Sequence, residues 1–348
     1  MRYQSVLAMA MLVSAFLLFG LSACISDTSP KSAQAPSVDR VKSVKQGSGA
    51  AQPPLLASST GEMNPFVGNE ALPTAQSTVQ SDEVLSPVAG AEAVTLDGKL
   101  VQGGLVFGKT LPGARVRLDD VPVMVGDAGD FVFGFSRDAP LSALLTIALP
   151  GGHIEERQLS IEDRDFRVER INGLDQSRVS GFTEAQLERI GVDREKKKAA
   201  RSTTQRRADW RGGFDWPAHG RISGVFGSQR VLNGEAKRPH SGLDIAAPTG
   251  TPVKAPAAGI IRLAESNMYF EGGLVLLDHG HWVESAFLHL SRLDVEPGQR
   301  VEKGDIIGAI GKTGRATGPH LHWSVKWRGR VVDPQLLVPA GGNTKKPS

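Results

Sequence analysis

The chain has 348 residues, room for about two domains of ordinary size. Its 40% hydrophobic and 22% charged residues suit a globular protein with a core. Net charge is +3, but Glu188 to Arg211 holds nine Lys/Arg against four Asp/Glu, so the basicity belongs to one segment. That argues against a nucleic-acid binder, whose positive charge should cover a folded face. Cys24 is the one cysteine, which excludes an intrachain disulfide and a Cys-rich zinc module; any metal site must use His and carboxylates.

Arg2 precedes an apolar run from Val6 to Gly20, then Leu21-Ser22-Ala23-Cys24. The run is short for a bilayer span, which takes about 20 residues, and a basic start, a short apolar stretch and small residues make a secretory signal peptide over residues 1–23. Leu-Ser-Ala-Cys resembles the bacterial lipobox, in which the cysteine is lipidated and becomes the mature N-terminus. Ile25, rather than Asp, follows it, which resembles sorting to the Gram-negative outer membrane. Residues 24–92 are rich in Ser, Ala, Pro, Gln and Thr and read as a lipid-anchored disordered tether, about 45 Å end to end as a flexible coil.

Short strands and turns follow over residues 93–173. The runs 105–107, 114–118, 121–125, 131–135, 144–149, 157–161 and 166–171 are separated by Gly- and Asp-rich turns, and seven short strands at hairpin spacing suggest a β-sandwich-like domain. His153, beside Gly151-Gly152, reads as a surface loop residue. Residues 174–212 read as a basic helical connector. Thr183-Glu184-Ala185-Gln186 is a capping-box pattern, and Gly191 is expected to interrupt the helix it opens. Lys196, Lys197, Lys198, Arg206 and Arg207 suit either attraction to anionic polymer or head groups or, the more economical reading, a solvated connector.

Seven of the eight histidines lie beyond residue 218 and all five tryptophans beyond residue 209. In His320-Leu321-His322-Trp323-Ser324-Val325-Lys326-Trp327, strand periodicity puts Leu321, Trp323, Val325 and Trp327 on one face and His320, His322, Ser324 and Lys326 on the other. His279-Gly280-His281 is a second His-x-His pair, read as a solvated turn. His240-Ser241-Gly242-Leu243-Asp244 adds a histidine and a carboxylate on a loop entering a strand. Two neutral His and one Asp would hold Zn²⁺ at net charge about +1 with an open fourth position, a catalytic rather than structural pattern.

His240-x-x-x-Asp244, Phe287-Leu288-His289-Leu290-Ser291 and Thr317-Gly318-Pro319-His320-Leu321-His322 resemble the three signature motifs of the lysostaphin-like (LytM-type) zinc metallopeptidases, peptidase family M twenty-three. The flanking segments Ile222-Ser223-Gly224-Val225-Phe226-Gly227 and Val332-Asp333-Pro334 agree. The resemblance covers residues 213–338, with 339–348 as a tail, and implies an all-β, duplicated hybrid peptidase domain. It further implies zinc bound by His240, Asp244 and His322, with His289 and His320 as catalytic histidines. The implied activity is hydrolysis of peptidoglycan cross-links, with the D,D bond as the expected target. Many relatives carry Tyr where this chain has Phe287, so no phenolic hydroxyl acts there; Tyr269 is expected at a loop surface. Some relatives have lost zinc ligands and activate separate amidases; retention of all five residues here favours the enzyme. The expected setting is the periplasm, with a lipid anchor in the outer membrane and no nucleic-acid partner.

Overall fold

The computed structural model describes residues 94–172 and 181–340. The signal peptide, Cys24, the tether, the start of the connector and most of the tail lie outside these residues. The described chain is mainly β, with one α-helix.

Seven strands form the first region: β1 (Thr95–Gly98), β2 (Leu105–Lys109), β3 (Arg115–Leu118), β4 (Val121–Val123), β5 (Asp130–Gly134), β6 (Ser142–Ala148) and β7 (Ile154–Ser160). They make a three-stranded sheet β1-β2-β5 and a four-stranded sheet β4-β3-β6-β7. Alternation along β3 and β6 buries Val116, Leu118, Ala143, Leu145 and Ile147 in a core shared with Phe131 and Phe133, as period-two geometry requires. The seven strands are not the seven expected. β1 was not anticipated, and the run at 166–171 yields β8 (Val168–Ile171), which pairs in parallel with a strand more than 50 residues later, β10 (Gln229–Leu232). An isolated strand pattern carries no information about its partner.

The helix α1 (Glu184–Ala200) begins at Thr183. The Thr183 hydroxyl accepts from the Gln186 N–H at 3.3 Å, and the Gln186 side chain accepts from the Thr183 N–H at 2.9 Å. Gly191 does not interrupt it. A helical glycine costs about 1 kcal/mol relative to Ala, and contacts to the neighbouring strands hold both sides of it: Arg189 donates to the Asn267 carbonyl, and Lys196 pairs with Glu265. The segment is therefore docked rather than simply solvated. Buried Asp193 accepts from the Tyr269 N–H at 2.7 Å, and Tyr269 packs edge-on against Phe182 and Phe270.

Next come β9 (Arg221–Gly224), β10 (Gln229–Leu232), β11 (Glu235–Ala236), β12 (Leu243–Ala246), β13 (Pro252–Lys254), β14 (Gly259–Met268) and β15 (Gly272–Asp278). They are followed by β16 (Val283–Leu293), β17 (Arg300–Val301), β18 (Ile306–Ile310), β19 (Leu321–Trp327) and β20 (Arg330–Val332). The main path of the large sheet runs β17-β14-β15-β16-β19-β12-β9, with β13, β18 and β20 attached beside it. Leu321, Trp323, Val325 and Trp327 are fully buried on one face of β19. The first region rests on this part of the fold: Gly134 of β5 lies against Val332 and Trp327, and Arg164 donates to the Asp333 carboxylate at 2.9 Å. That second cover explains why all of β5 is buried.

Candidate active site

Three adjacent strands of the large sheet assemble the site. Asp244 on β12 is the register partner of His322 on β19, and His322 is in turn opposite Leu288 on β16. Directly opposed residues bring their Cβ atoms within about 5.5 Å, so the sheet places the carboxylate and the imidazole together. His240 arrives from the preceding loop, which is held by its backbone N–H to the Ser228 carbonyl. Its Nε2 lies 3.0 Å from Asp244 Oδ1 and 3.1 Å from His322 Nδ1; His322 Nδ1 lies 2.9 Å from the same oxygen.

Tautomers follow from the neighbours. His240 Nδ1 faces the Val225 carbonyl at 3.0 Å; a carbonyl only accepts, so Nδ1 carries the proton and Nε2 offers its lone pair to the cluster. His289 Nδ1 donates to the Thr313 carbonyl and His320 Nδ1 to the Gly318 carbonyl, at 2.9 and 2.8 Å. Their rings lie 4.8 Å apart, and His320 Nε2 is 3.9 Å from Asp244 Oδ1. His289 sits within β16 at φ 66°, its N–H bonded to the Glu271 carbonyl, beside a register shift between Leu290 and Arg292. Positive φ is uncommon outside glycine, and strained backbone of this kind clusters at functional sites.

Burial alone would raise the Asp244 carboxyl, but in the metal-free cluster the adjoining His240 and His322 imidazoles, when protonated, outweigh it and hold its pKa far below the ordinary carboxylate value. Burial lowers His289 to about 4 against the opposing bond to Thr313, and it lowers His322 as well. His289 is therefore neutral at neutral pH.

The donor set suits a divalent cation. Three ligand atoms at mutual distances of 2.9–3.1 Å are near the roughly 3.3 Å edge of a tetrahedron with 2.0–2.1 Å ligand bonds. Among the described residues, His240, Asp244 and His322 are the only such cluster of potential metal ligands.

The profile of peptidase family M23 matches residues 238–334. A crystal structure of a peptidase M23 from Pseudomonas aeruginosa aligns over 69% of this chain and 95% of its own length, at 32% identity and TM-score 0.54. The chain belongs to peptidase family M23. Among curated relatives, the peptidoglycan DD-endopeptidase ShyA of Vibrio cholerae is 43% identical over 32% of this chain and 26% of its own. The DD-carboxypeptidase/endopeptidase Mpg of Neisseria meningitidis is 39% identical over 36% and 29%. A lipoprotein NlpD/LppB homolog of P. aeruginosa is 37% identical over 37% and 40%. The chain thus spans well under half the length of these relatives. The match to the family profile encloses His240, Asp244, His289, His320 and His322, the five residues the motifs singled out.

One sequence expectation is overturned. His279 and His281 are in a turn but are not solvated: they are 0% and 1% exposed. His279 Nδ1 donates to the Ala258 carbonyl at 2.7 Å, and Nε2 accepts from the Ser285 hydroxyl at 2.8 Å, which in turn accepts from the Trp323 indole N–H. His281 Nε2 meets the Arg206 carbonyl, so the docked connector covers the turn. This buried chain braces Trp323, the neighbour of His322. Sequence reasoning also missed the carbonyls of Val225, Thr313 and Gly318, because a backbone acceptor leaves no mark in residue identity.

Proposed function

We propose that the chain is a zinc endopeptidase that hydrolyses D,D peptide cross-links of peptidoglycan. The observation that carries the reading is the convergence of three lone-pair donors within 3.1 Å of one another beside two histidines whose Nδ1 protons are committed to carbonyls. His240, Asp244 and His322 would hold Zn²⁺, which when bound supplies Lewis acidity toward a peptide carbonyl and toward water. His289 Nε2 accepts the proton of the attacking water and returns it to the leaving amine nitrogen. His320, when protonated on Nε2, donates to the oxygen that becomes negative as the carbonyl turns tetrahedral. The endopeptidase names of the V. cholerae and N. meningitidis relatives support the substrate class.

The same reading places the protein in the periplasm, lipidated on Cys24 and anchored in the outer membrane. The leader, the lipobox-like Leu21 to Cys24 and the lipoprotein name of the P. aeruginosa relative support it.

Mass spectrometry of sacculi digested by the purified full chain tests the reaction. Zinc-loaded protein is expected to release peptide-cleaved muropeptides, a chelator to abolish this, and added zinc to restore it. Folded, zinc-loaded protein that is inert on sacculi and on cross-linked peptides, yet stimulates an added amidase, would make the chain an activator instead.

A further inference from the structure

A groove of about 620 Å³ leads away from His240 and His322. Its walls bear Arg137, Lys197, Arg201, Arg238, Lys326 and Arg330 against two carboxylates, Asp138 and Glu271. The cations on and just beyond α1 are already neutralised. Lys197 pairs with Glu271, and Arg201 holds Glu284 through two of its nitrogens. Glu284 is the residue directly opposite Lys326 in the β16–β19 register. Arg201 therefore takes that carboxylate at ion-pair distance, while Lys326 forms no ion pair with it.

Among the described residues Lys326 has no carboxylate within ion-pair distance and no hydrogen-bond partner, although it is partly buried and borders a second cavity of about 340 Å³ with Arg201 and Glu284. Burial, then the nearby Arg201, lower its pKa against the opposing pull of Glu284 and Glu271. An ammonium partly withdrawn from water with no ion pair at contact distance is costly, and one that faces a groove can recover that cost from an incoming anion. The direction is also set. His322, Ser324 and Lys326 alternate along the groove-lining face of β19, which puts Lys326 about 13 Å from His322 at 3.2–3.4 Å per residue. An extended peptide laid along this strand covers that distance in three to four residues.

We propose that Lys326 is a specificity-determining residue that binds a carboxylate of the peptide substrate three to four residues from the scissile bond. This rests on the peptidase reading above. Peptidoglycan cross-links offer such groups, because their stem peptides carry free carboxylates.

Two cross-linked peptides test it, identical except that one has every carboxylate converted to a primary amide. Binding of each to the full chain in detergent is measured by calorimetry, separately from cleavage. The acid peptide should bind roughly 10- to 100-fold more tightly than the amide, the usual range for a charge-assisted hydrogen bond. Lys326→Met should bind both alike at the weaker affinity, and Lys326→Arg should keep most of the preference. Wild-type affinities within about twofold of each other, or a preference that survives in Lys326→Met, would overturn the assignment. The wild-type comparison needs no variant to fold. An adequate control for a general anion site is inorganic phosphate: if it displaces the acid peptide at millimolar level from wild type and from Lys326→Met equally, the anion site lies elsewhere and the assignment fails. Absence of cleavage with the binding preference intact would sink the peptidase reading alone; cleavage without any acid-over-amide preference would sink this one alone.

Discussion

Removing the Asp244 carboxylate and removing the His289 imidazole should separate metal binding from proton transfer. Asp244 Oδ1 is the atom shared by both His240 and His322, at 3.0 and 2.9 Å, and Asp244→Ala leaves two neutral imidazoles to face a dication. Four-ligand structural zinc sites bind with apparent energies of about 10–16 kcal/mol. One ligand's share is then about 3 kcal/mol, so zinc affinity should fall by roughly 100-fold or more. His289 belongs to a different set: its ring is 6.4 Å from that of His322, and its Nδ1 is spent on Thr313. His289→Ala should keep zinc affinity within about threefold while turnover falls by about 10²–10³. The assay is competition for zinc with a chromophoric chelator, run beside cleavage of cross-linked muropeptides. Equal zinc loss in two folded variants would refute the division of roles.

Two further outcomes follow from the same physical reasoning. Burial lowers His279, His281, His289 and His322 below their ordinary value of 6.5, so the unfolded chain takes up their protons first as pH falls. The metal-free protein should therefore lose stability as pH drops from about 6.5 toward 4 and show little dependence from these groups above 6.5; a melting temperature flat across that window would contradict their burial as neutral groups. For localisation, Cys24→Ser should give uncleaved or unlipidated protein with altered membrane fractionation, and a variant processed and partitioned like wild type would end the lipoprotein reading.

Local pattern alone determined a good deal of this protein. Alternation over 320–327 assigns the apolar and polar faces of β19, because side-chain direction in a strand depends only on backbone geometry. The capping box at Thr183 marks the start of α1 for a similarly local reason, and a lone cysteine leaves histidine and carboxylate as the available metal ligands. Residue types at three separated motifs were enough to single out His240, Asp244, His289, His320 and His322. Tertiary structure decided what depends on which segments meet. Strand periodicity could not say that Val168–Ile171 would leave its neighbours to pair with β10. Nor could it say that the connector would close over His281 and remove that turn from water. The positive φ of His289 arises from its place beside a register shift, and its tautomer from a carbonyl 24 residues away. Lys326 and Glu284 face each other by register, an ordinary cross-strand pair on paper. Only the packing of α1, which brings Arg201 onto Glu284, shows that the lysine forms no ion pair with that carboxylate and lines the groove instead, because which cation reaches a carboxylate depends on segments far apart in sequence.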